Sequence, residues 1–413
     1  MGTPHFKSTS IARSMIGTQA LDWAIGGWTK GMQNKRILVV GAGIAGLSSA
    51  LMLAKNGNDV MVIDAQDNWE ITGAGLTISG PSFRAIEALG ILSDVMNLGH
   101  THPGIKVHDT HGHLLKTLIS PSIAAQNGDP LPGAGGILRS TLHGILLKHL
   151  SRLGIQVQMG LKCTSITQDA LTPDGSARAR VSFSDQRTLD FDAVVVGEGL
   201  YSNSRHLLWP QTPSPTFTGQ ACWRVVLART QSVDHRFFFL GGTVKVGLTP
   251  VSSEHMYLFL LESIPQNTHR EAAELHVILK NLLSEFSGEL SQVRQAINAQ
   301  SHIVYRPLES HFLSDSWSTG CVVLVGDAAH ATTPQLASGA GMAMEDGIVL
   351  SEEFLSAKDA KEAFHRYYLR RSKRCKMVVQ NSLQIGQLEL ERASAVEQAQ
   401  LVESSLAQLA APY

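Results

Sequence analysis

Three short apolar runs rich in β-branched residues, at 37–40, 193–196 and 322–325, each stop abruptly at a glycine. Runs of four to six such residues without alternation read as strands buried on both faces, the pattern of a parallel sheet. In an open α/β sheet, ligands lie beyond the carboxyl ends of the strands. All three ends carry glycine with acidic or polar residues, so three distant segments are expected to converge on one ligand. A different texture lies between them. Segments 216–227, 236–240, 244–249 and 255–261 are aromatic and β-branched with Gly and Pro breaks, which predicts antiparallel sheet. Segment 105–118 reads as a hairpin around "DTHG" that joins the same sheet. From residue 351 onward the pattern is helical.

The fold expected is therefore mixed α/β, with a Rossmann-like dinucleotide-binding unit, an inserted antiparallel sheet and a C-terminal helical region. The divisions read from these textures are a loose extension at 1–32 and a discontinuous cofactor unit at 33–103, 135–212 and 308–356. A substrate unit follows from 104–134 and 213–307, and a helical region from 357–413. No repeat or low-complexity tract interrupts them.

Composition narrows the function classes. The 413 residues carry 34 Lys and Arg against 35 Asp and Glu, a net charge of −1, which argues against a nucleic-acid partner. No apolar run reaches the roughly 18 residues that span a bilayer, so no membrane partner is expected. Four cysteines, Cys163, Cys222, Cys321 and Cys375, lack CxxC spacing, which argues against a zinc site or disulfide framework and suits a reducing cytoplasm. The first 31 residues lack the apolar core and cleavage site of a secretory signal, and Met32, just ahead of "QNKRILVVG", is a candidate initiator. Oligomeric state is not legible.

The stretch "ILVVGAGIAGLSSALMLAKNGNDVMVID" reads as strand, GxGxxG loop, helix and strand, closed by Asp64 about 20 residues past the loop. Gly41 permits the tight turn, Gly43 lets backbone N–H groups approach a pyrophosphate, and Gly46 lets the helix pack on the sheet. Ile44 and Ala45, between them, open the helix whose N-terminus faces the phosphates. Leu47, Ala50, Leu51 and Ala54 form its apolar face, and Asn56-Gly57 stops it. Asp64 is expected to accept from ribose hydroxyls. This motif alone does not separate FAD from NAD.

The segment "GCVVLVGDAAHATTPQLASGAGMAMEDGIVLSEE" places Asp327 after a buried strand, where a carboxylate suits polyol hydroxyls. It also places Gly339, Ala340 and Gly341 at a helix start, whose free N–H groups suit negative charge on a reduced flavin. With Trp317, Gly320, Gly326, His330, Pro334 and Glu345-Asp346, this segment resembles the GD motif of the class A flavoprotein monooxygenases, the family of para-hydroxybenzoate hydroxylase, salicylate hydroxylase and kynurenine monooxygenase. "LRSTLHGILLKHL" matches at Arg139, a family FAD contact, and "VVVGEGLYSNSR" resembles the family's DG motif. The resemblance runs from residue 33 to about 380. It implies the para-hydroxybenzoate hydroxylase type of fold, with Gly75, Arg139, Glu198, Gly326 and Asp327 added to the FAD-binding set. There are departures: Glu198 replaces the DG aspartate, Ser338 replaces a glutamine, and Ala65 follows Asp64 where a basic residue is usual.

The resemblance further implies that NAD(P)H visits transiently to reduce FAD, and that O2 is carried as a flavin C4a-hydroperoxide to a small aromatic or polycyclic substrate. The protein's task would be to exclude water and orient that substrate. Pro334 is implied at the isoalloxazine edge and Arg224 on the sheet near the flavin, facing flavin, nicotinamide or an acidic substrate. Two other classes stay open: an FAD reductase or dehydrogenase without oxygen insertion, and a degenerate flavin-binding carrier. His330 reads as a structural histidine. The cluster His100, His102, His108, His111 and His113 parses as loop and hairpin with exposed polar residues, and no metal site is expected there. The basic run Arg370, Arg371, Lys373 and Arg374 reads as a solvated or internally paired helix face.

Overall fold

The computed structural model describes residues 32–69, 74–125, 127–171 and 177–413. Apart from Met32, the expected N-terminal extension lies outside them. The three apolar runs form adjacent, fully buried parallel strands: Arg36–Val40 pairs with Asp59–Ile63 on one side and Ala193–Val196 on the other, and Val322–Leu324 follows. Two-residue strands at Val157–Gln158 and Ser318–Thr319 complete a six-stranded sheet, the last of them antiparallel. Helices Ile44–Lys55 and Gly339–Ser356 pack together and share the principal core with it. Asn56 caps the first of these, and Gly57 at φ +83° turns the chain away.

The second sheet has seven strands, in the order Ile303–Phe312, Thr216–Ala228, His255–Ser263, Lys245–Pro250, Arg236–Phe239, Gly104–His108 and Leu114–Ile119. The hairpin expected around "DTHG" joins it through a parallel pairing of Gly104–His108 with Arg236–Phe239, the other pairings being antiparallel. Alternation divides the faces. Trp223, Val225, Leu258, Leu260, Val246 and Leu248 bury one face against helices Leu275–Leu282 and Glu289–Ala296. Cross-strand partners Arg224, Phe259, Gly247 and Phe238 share the other face, with Val226, Tyr257 and Thr249 one pair further along. That face meets the first unit, where Tyr257 and Val226 cluster with Leu138.

Several elements depart from expectation. Ile303–Phe312 is a ten-residue strand whose Pro307 disguised it, and proline is admissible here because the strand is at the sheet edge with a single neighbour. A division at 307/308 would cut this strand, and we propose that the substrate unit runs to Phe312. Segments Cys163–Leu171, Ala177–Phe183 and Thr188–Phe191 form an unanticipated antiparallel meander, and Gly75–Ser79, Ala134–Leu138 and His100–His102 a small third sheet. Of the histidine cluster, His111 and His113 are exposed as expected, but His102 is buried, and His108 is buried against the rings of Phe237 and Phe239. At the C-terminus, a 31-residue helix, Ala360–Leu390, runs back across both sheets. Among the described residues no helix is long and apolar enough to cross a membrane.

Candidate active site

Three strand ends meet at one cleft. Gly41 stands at φ +94°, and a Cβ there would come within 2.6 Å of the Gly197 carbonyl oxygen; one on Gly46 would come within 1.8 Å of the Gly41 oxygen. These two glycines are required by the protein's own backbone. Gly43 differs, because a Cβ there would meet nothing within 4 Å. It is the point at which a ligand can reach the N-terminus of helix Ile44–Lys55, whose cap residue offers no side-chain acceptor. Ile44 and Ala45 are buried behind the loop. Asp64 braces it, with one oxygen accepting from the Ala42 N–H at 2.8 Å and the other from the Gln66 N–H at 2.9 Å. His143, unnoticed in the sequence although it lies one helical turn past Arg139, bonds the Ala42 carbonyl at 2.8 Å and meets the Trp69 ring edge-on.

At the second strand end, Glu198 turns back. One of its oxygens accepts from the Ser202 hydroxyl at 2.7 Å and from the Ser204 N–H at 2.8 Å, and Ser202 itself caps helix Asn203–Leu208. At the third, Gly326 (φ +60°) lies against Ala45, which joins this strand end to the first. Asp327 follows and is solvent-accessible, yet burial raises its pKa against the lowering pull of His330 and Arg139. Arg139, also accessible, has its pKa lowered by burial, with Asp327 opposing that effect and Arg224 and Arg306 adding to it. Charges that are open to solvent but walled by protein belong to a deep cleft, where electrostatic interactions are strong. Asp327, Arg139, Arg224 and Arg306 line that cleft together. Arg306 was not singled out in the sequence, because its edge strand was not recognised.

Beyond Asp327, Pro334 opens a short turn, Pro334–Leu336, and Ala337 at φ +49° leads into helix Gly339–Ser356. Ser338 donates its hydroxyl to the Leu336 carbonyl and does not cap that helix. The N–H groups of Gly339, Ala340 and Gly341 are thus the helix's free first-turn donors. Gly75 packs against the seven-stranded sheet: a Cβ there would fall 2.1 Å from the Tyr257 ring, whose hydroxyl bonds Thr77. Gly75→Ala should therefore cost about 1–3 kcal/mol as overpacking. Thermal melts of Gly75→Ala and of Gly75→Ala with Tyr257→Leu check this, since the smaller side chain should return most of the loss.

An ionic anchor fixes the third strand end from behind. Asp346 accepts from the Gly326 N–H at 2.8 Å, bonds His330 Nε2 at 2.6 Å and accepts from Arg371 Nε at 2.8 Å. Burial alone would raise the Asp346 pKa, but His330 and Arg371 bring it down to about 2. Burial alone would lower that of His330, but Asp346 and Cys375 hold it well above the usual imidazole range. His330 is thus a buried structural cation whose ring lies 4.9 Å from that of Trp317, tilted by 41°. The three arginines of the basic run are internally paired, Arg371 and Arg374 holding Glu345 and Arg370 holding Glu352 and Glu353, while Lys373 is exposed. His330, Asp346 and Cys375 bring ligand-type atoms within 4.8 Å of one another. Both Asp346 oxygens are already engaged, one by a guanidinium, so the donor set suits an ion-pair anchor better than a metal.

Residues 34–382 match the family described as FAD binding domain. A putative FAD-dependent monooxygenase, YetM of Bacillus subtilis (strain 168), is 30% identical over 366 residues, spanning 88% of this chain and 96% of that protein. The 2-heptyl-3-hydroxy-4(1H)-quinolone synthase of Pseudomonas aeruginosa (strain UCBPP-PA14) is 28% identical, spanning 85% and 89%. Among solved structures, Klebsiella pneumoniae HpxO complexed with FAD and uric acid superposes with a TM-score of 0.76 at 22% identity, over 91% of this chain and 92% of that one, which shows a common fold.

Proposed function

This chain belongs to the FAD-binding-domain family of class A flavoprotein monooxygenases and is an FAD-dependent monooxygenase, and from that premise we propose that it hydroxylates a planar aromatic or heterocyclic anion, using NAD(P)H and O2. The observation that carries the substrate class is the face of the second sheet turned toward the first unit. It combines the rings of Tyr257, Phe259 and Phe238 with the guanidiniums of Arg224 and Arg236. Arg236 lies 4.5 Å over the Phe238 ring and 5.2 Å from that of Phe259. Its Nε is buried without a partner, and neither arginine has an ion pair among the described residues. Unneutralised cations on an aromatic wall select a flat, negatively polarised ligand. Relatives whose names specify a quinolone or urate are consistent with such a ring.

The residues present fit FAD. The Gly41–Gly46 loop and its helix N-terminus would cradle the pyrophosphate, and Asp64 would accept from the ribose. Asp327 would accept from the ribityl hydroxyls, Arg139 would contribute the positive charge beside it, and the first-turn N–H groups at 339–341 would offer donors to the flavin ring. When bound, FAD supplies the redox chemistry that NAD(P)H and O2 require. Glu198 orders the second strand end through its helix cap. Pro334 and Arg224 would position the substrate, and the aromatic wall would keep water from the reacting atoms. The four cysteines, all free and buried, suit a cytoplasmic location.

The test is a panel of aromatic and heterocyclic acids offered to the holoenzyme with NADH or NADPH. Substrate-stimulated oxygen uptake with one hydroxylated product per oxygen consumed is expected, whereas NAD(P)H oxidation without oxygen insertion would favour a reductase. Arg236→Met should raise KM for an anionic substrate about tenfold or more, the loss of one charge-assisted bond at about 1.5–3 kcal/mol. Neutral ring analogues should change little. Equal effects on both would remove Arg236 from recognition.

A further inference from the structure

Helix Arg139–Arg152 serves two strand ends from positions one turn apart. Arg139 shares the cleft with Asp327 at the third strand end, and His143 Nε2 meets the Ala42 carbonyl of the glycine loop at 2.8 Å. A carbonyl oxygen only accepts, so Nε2 carries the proton of that bond. Burial lowers the His143 pKa, so the ring is neutral at pH 7 and keeps its single proton there. The loop reads Gly-Ala-Gly around this contact, a run with little stiffness of its own.

The Ala42 C=O and the Gly43 N–H belong to one planar trans peptide, in which the two bonds point in opposite directions. Holding the carbonyl toward His143 therefore aims the Gly43 N–H away from it. That N–H has no acceptor among the described residues, and Gly43 is half-buried beside open space. The groups around it are engaged: the Gly41 N–H donates to the Ile63 carbonyl at 2.9 Å, the Ala42 N–H to Asp64 at 2.8 Å, and the Gly43 carbonyl accepts from the Leu47 N–H at 2.9 Å. The Gly43 N–H is thus the first free donor of the loop, just ahead of the free first-turn donors of helix Ile44–Lys55. We propose that His143 is a positioning residue for the cofactor, locking the 42–43 peptide in the orientation that presents the Gly43 N–H to a pyrophosphate. This role rests on the reading that the Gly41–Gly46 loop takes the FAD pyrophosphate. Its effect follows the phosphates of the ligand and not the flavin ring.

The test titrates the deflavinated full-length chain with FAD and with two fragments of it, ADP for the pyrophosphate half and riboflavin for the ring half, by calorimetry and flavin fluorescence. His143→Gln keeps an amide N–H at nearly the place of Nε2, His143→Asn is one carbon too short to reach the carbonyl, and His143→Leu has no donor. FAD and ADP are expected to bind about five- to tenfold more weakly to the Leu and Asn variants, the loss of one oriented hydrogen bond, while riboflavin changes by less than about twofold. The Gln variant should return to within about twofold of wild type for all three ligands. The comparison of Asn with Gln, both polar, stands even if the Leu variant does not fold. Equal losses for all three ligands would make His143 a purely structural residue and overturn the proposal. Unchanged ADP binding in the Asn variant, or no recovery with Gln, overturns it as well. Wild type that binds riboflavin but not ADP contradicts the reading of the loop itself, and the role of His143 falls with it.

Discussion

Asp327→Ala protein is expected to emerge from purification depleted of flavin and to need 10- to 100-fold more FAD for half-saturation than wild type. Asp327 is the carboxylate that is at once accessible and enclosed: burial raises its pKa while Arg139 and His330 pull it down. A group in that setting gains from hydroxyl donors that replace the solvent it lacks, and losing such a charge-assisted acceptor costs about 1.5–3 kcal/mol. Asp327→Asn keeps an acceptor and should lose less. Equilibrium titration of reconstituted apoprotein measures both. Because Asp327 opposes the effect of burial on the Arg139 pKa, Arg139→Met in the Asp327→Ala background should add less than it does alone.

Arg371→Met is expected to be the most destabilising of the substitutions considered, at about 3–5 kcal/mol, because it removes the buried cation that Asp346 and Glu345 share and leaves the two anions with only His330 and Arg374 between them. The loss should depend on pH in a defined sense. The wild-type Asp346 pKa is lowered to about 2 from an ordinary 3.8. Its contribution to stability is therefore fully present above pH 3.8 and fades as pH falls toward 2. Without Arg371 part of that depression is lost while the part due to His330 stays, so the gap between variant and wild type should narrow across the same window. The His330 contribution runs the other way: its raised pKa stabilises the fold fully below about 6.5 and is lost only as pH climbs well past neutrality. Urea melts from pH 2 to 8 would expose a flat difference between pH 3.8 and 2, which this account does not allow.

The parallel sheet was legible because each of its central strands is an unbroken apolar run ended by glycine, and the GxGxxG loop because its glycines answer to backbone geometry within a few residues. The antiparallel sheet was legible in its four middle strands, where aromatic and β-branched residues crowd. Its edge was hidden by Pro307, and with it went Arg306. The meander at Cys163–Leu171, Ala177–Phe183 and Thr188–Phe191 is short and polar on one side, which leaves a weak period-two signal. His143 and Arg236 were out of reach for another reason. Each owes its place to a partner about a hundred residues away or to a face set by strand register, and periodicity carries no information about either. The buried pairing of Arg371 with Glu345 and Asp346 likewise depends on two helices packing, so the sequence left that basic run open between a solvated and an internally paired face.

The most direct test of the central claim is a single-turnover reaction of the reduced holoenzyme with isotopically labelled O2, in the presence of a ring acid that stimulates oxygen uptake. Mass spectrometry of the product should show one labelled oxygen atom per turnover, with the label reduced in parallel with flavin content in Asp327→Ala. Product that carries no label, or oxidised substrate formed at the same rate without O2, would contradict the assignment of this cleft to monooxygenation.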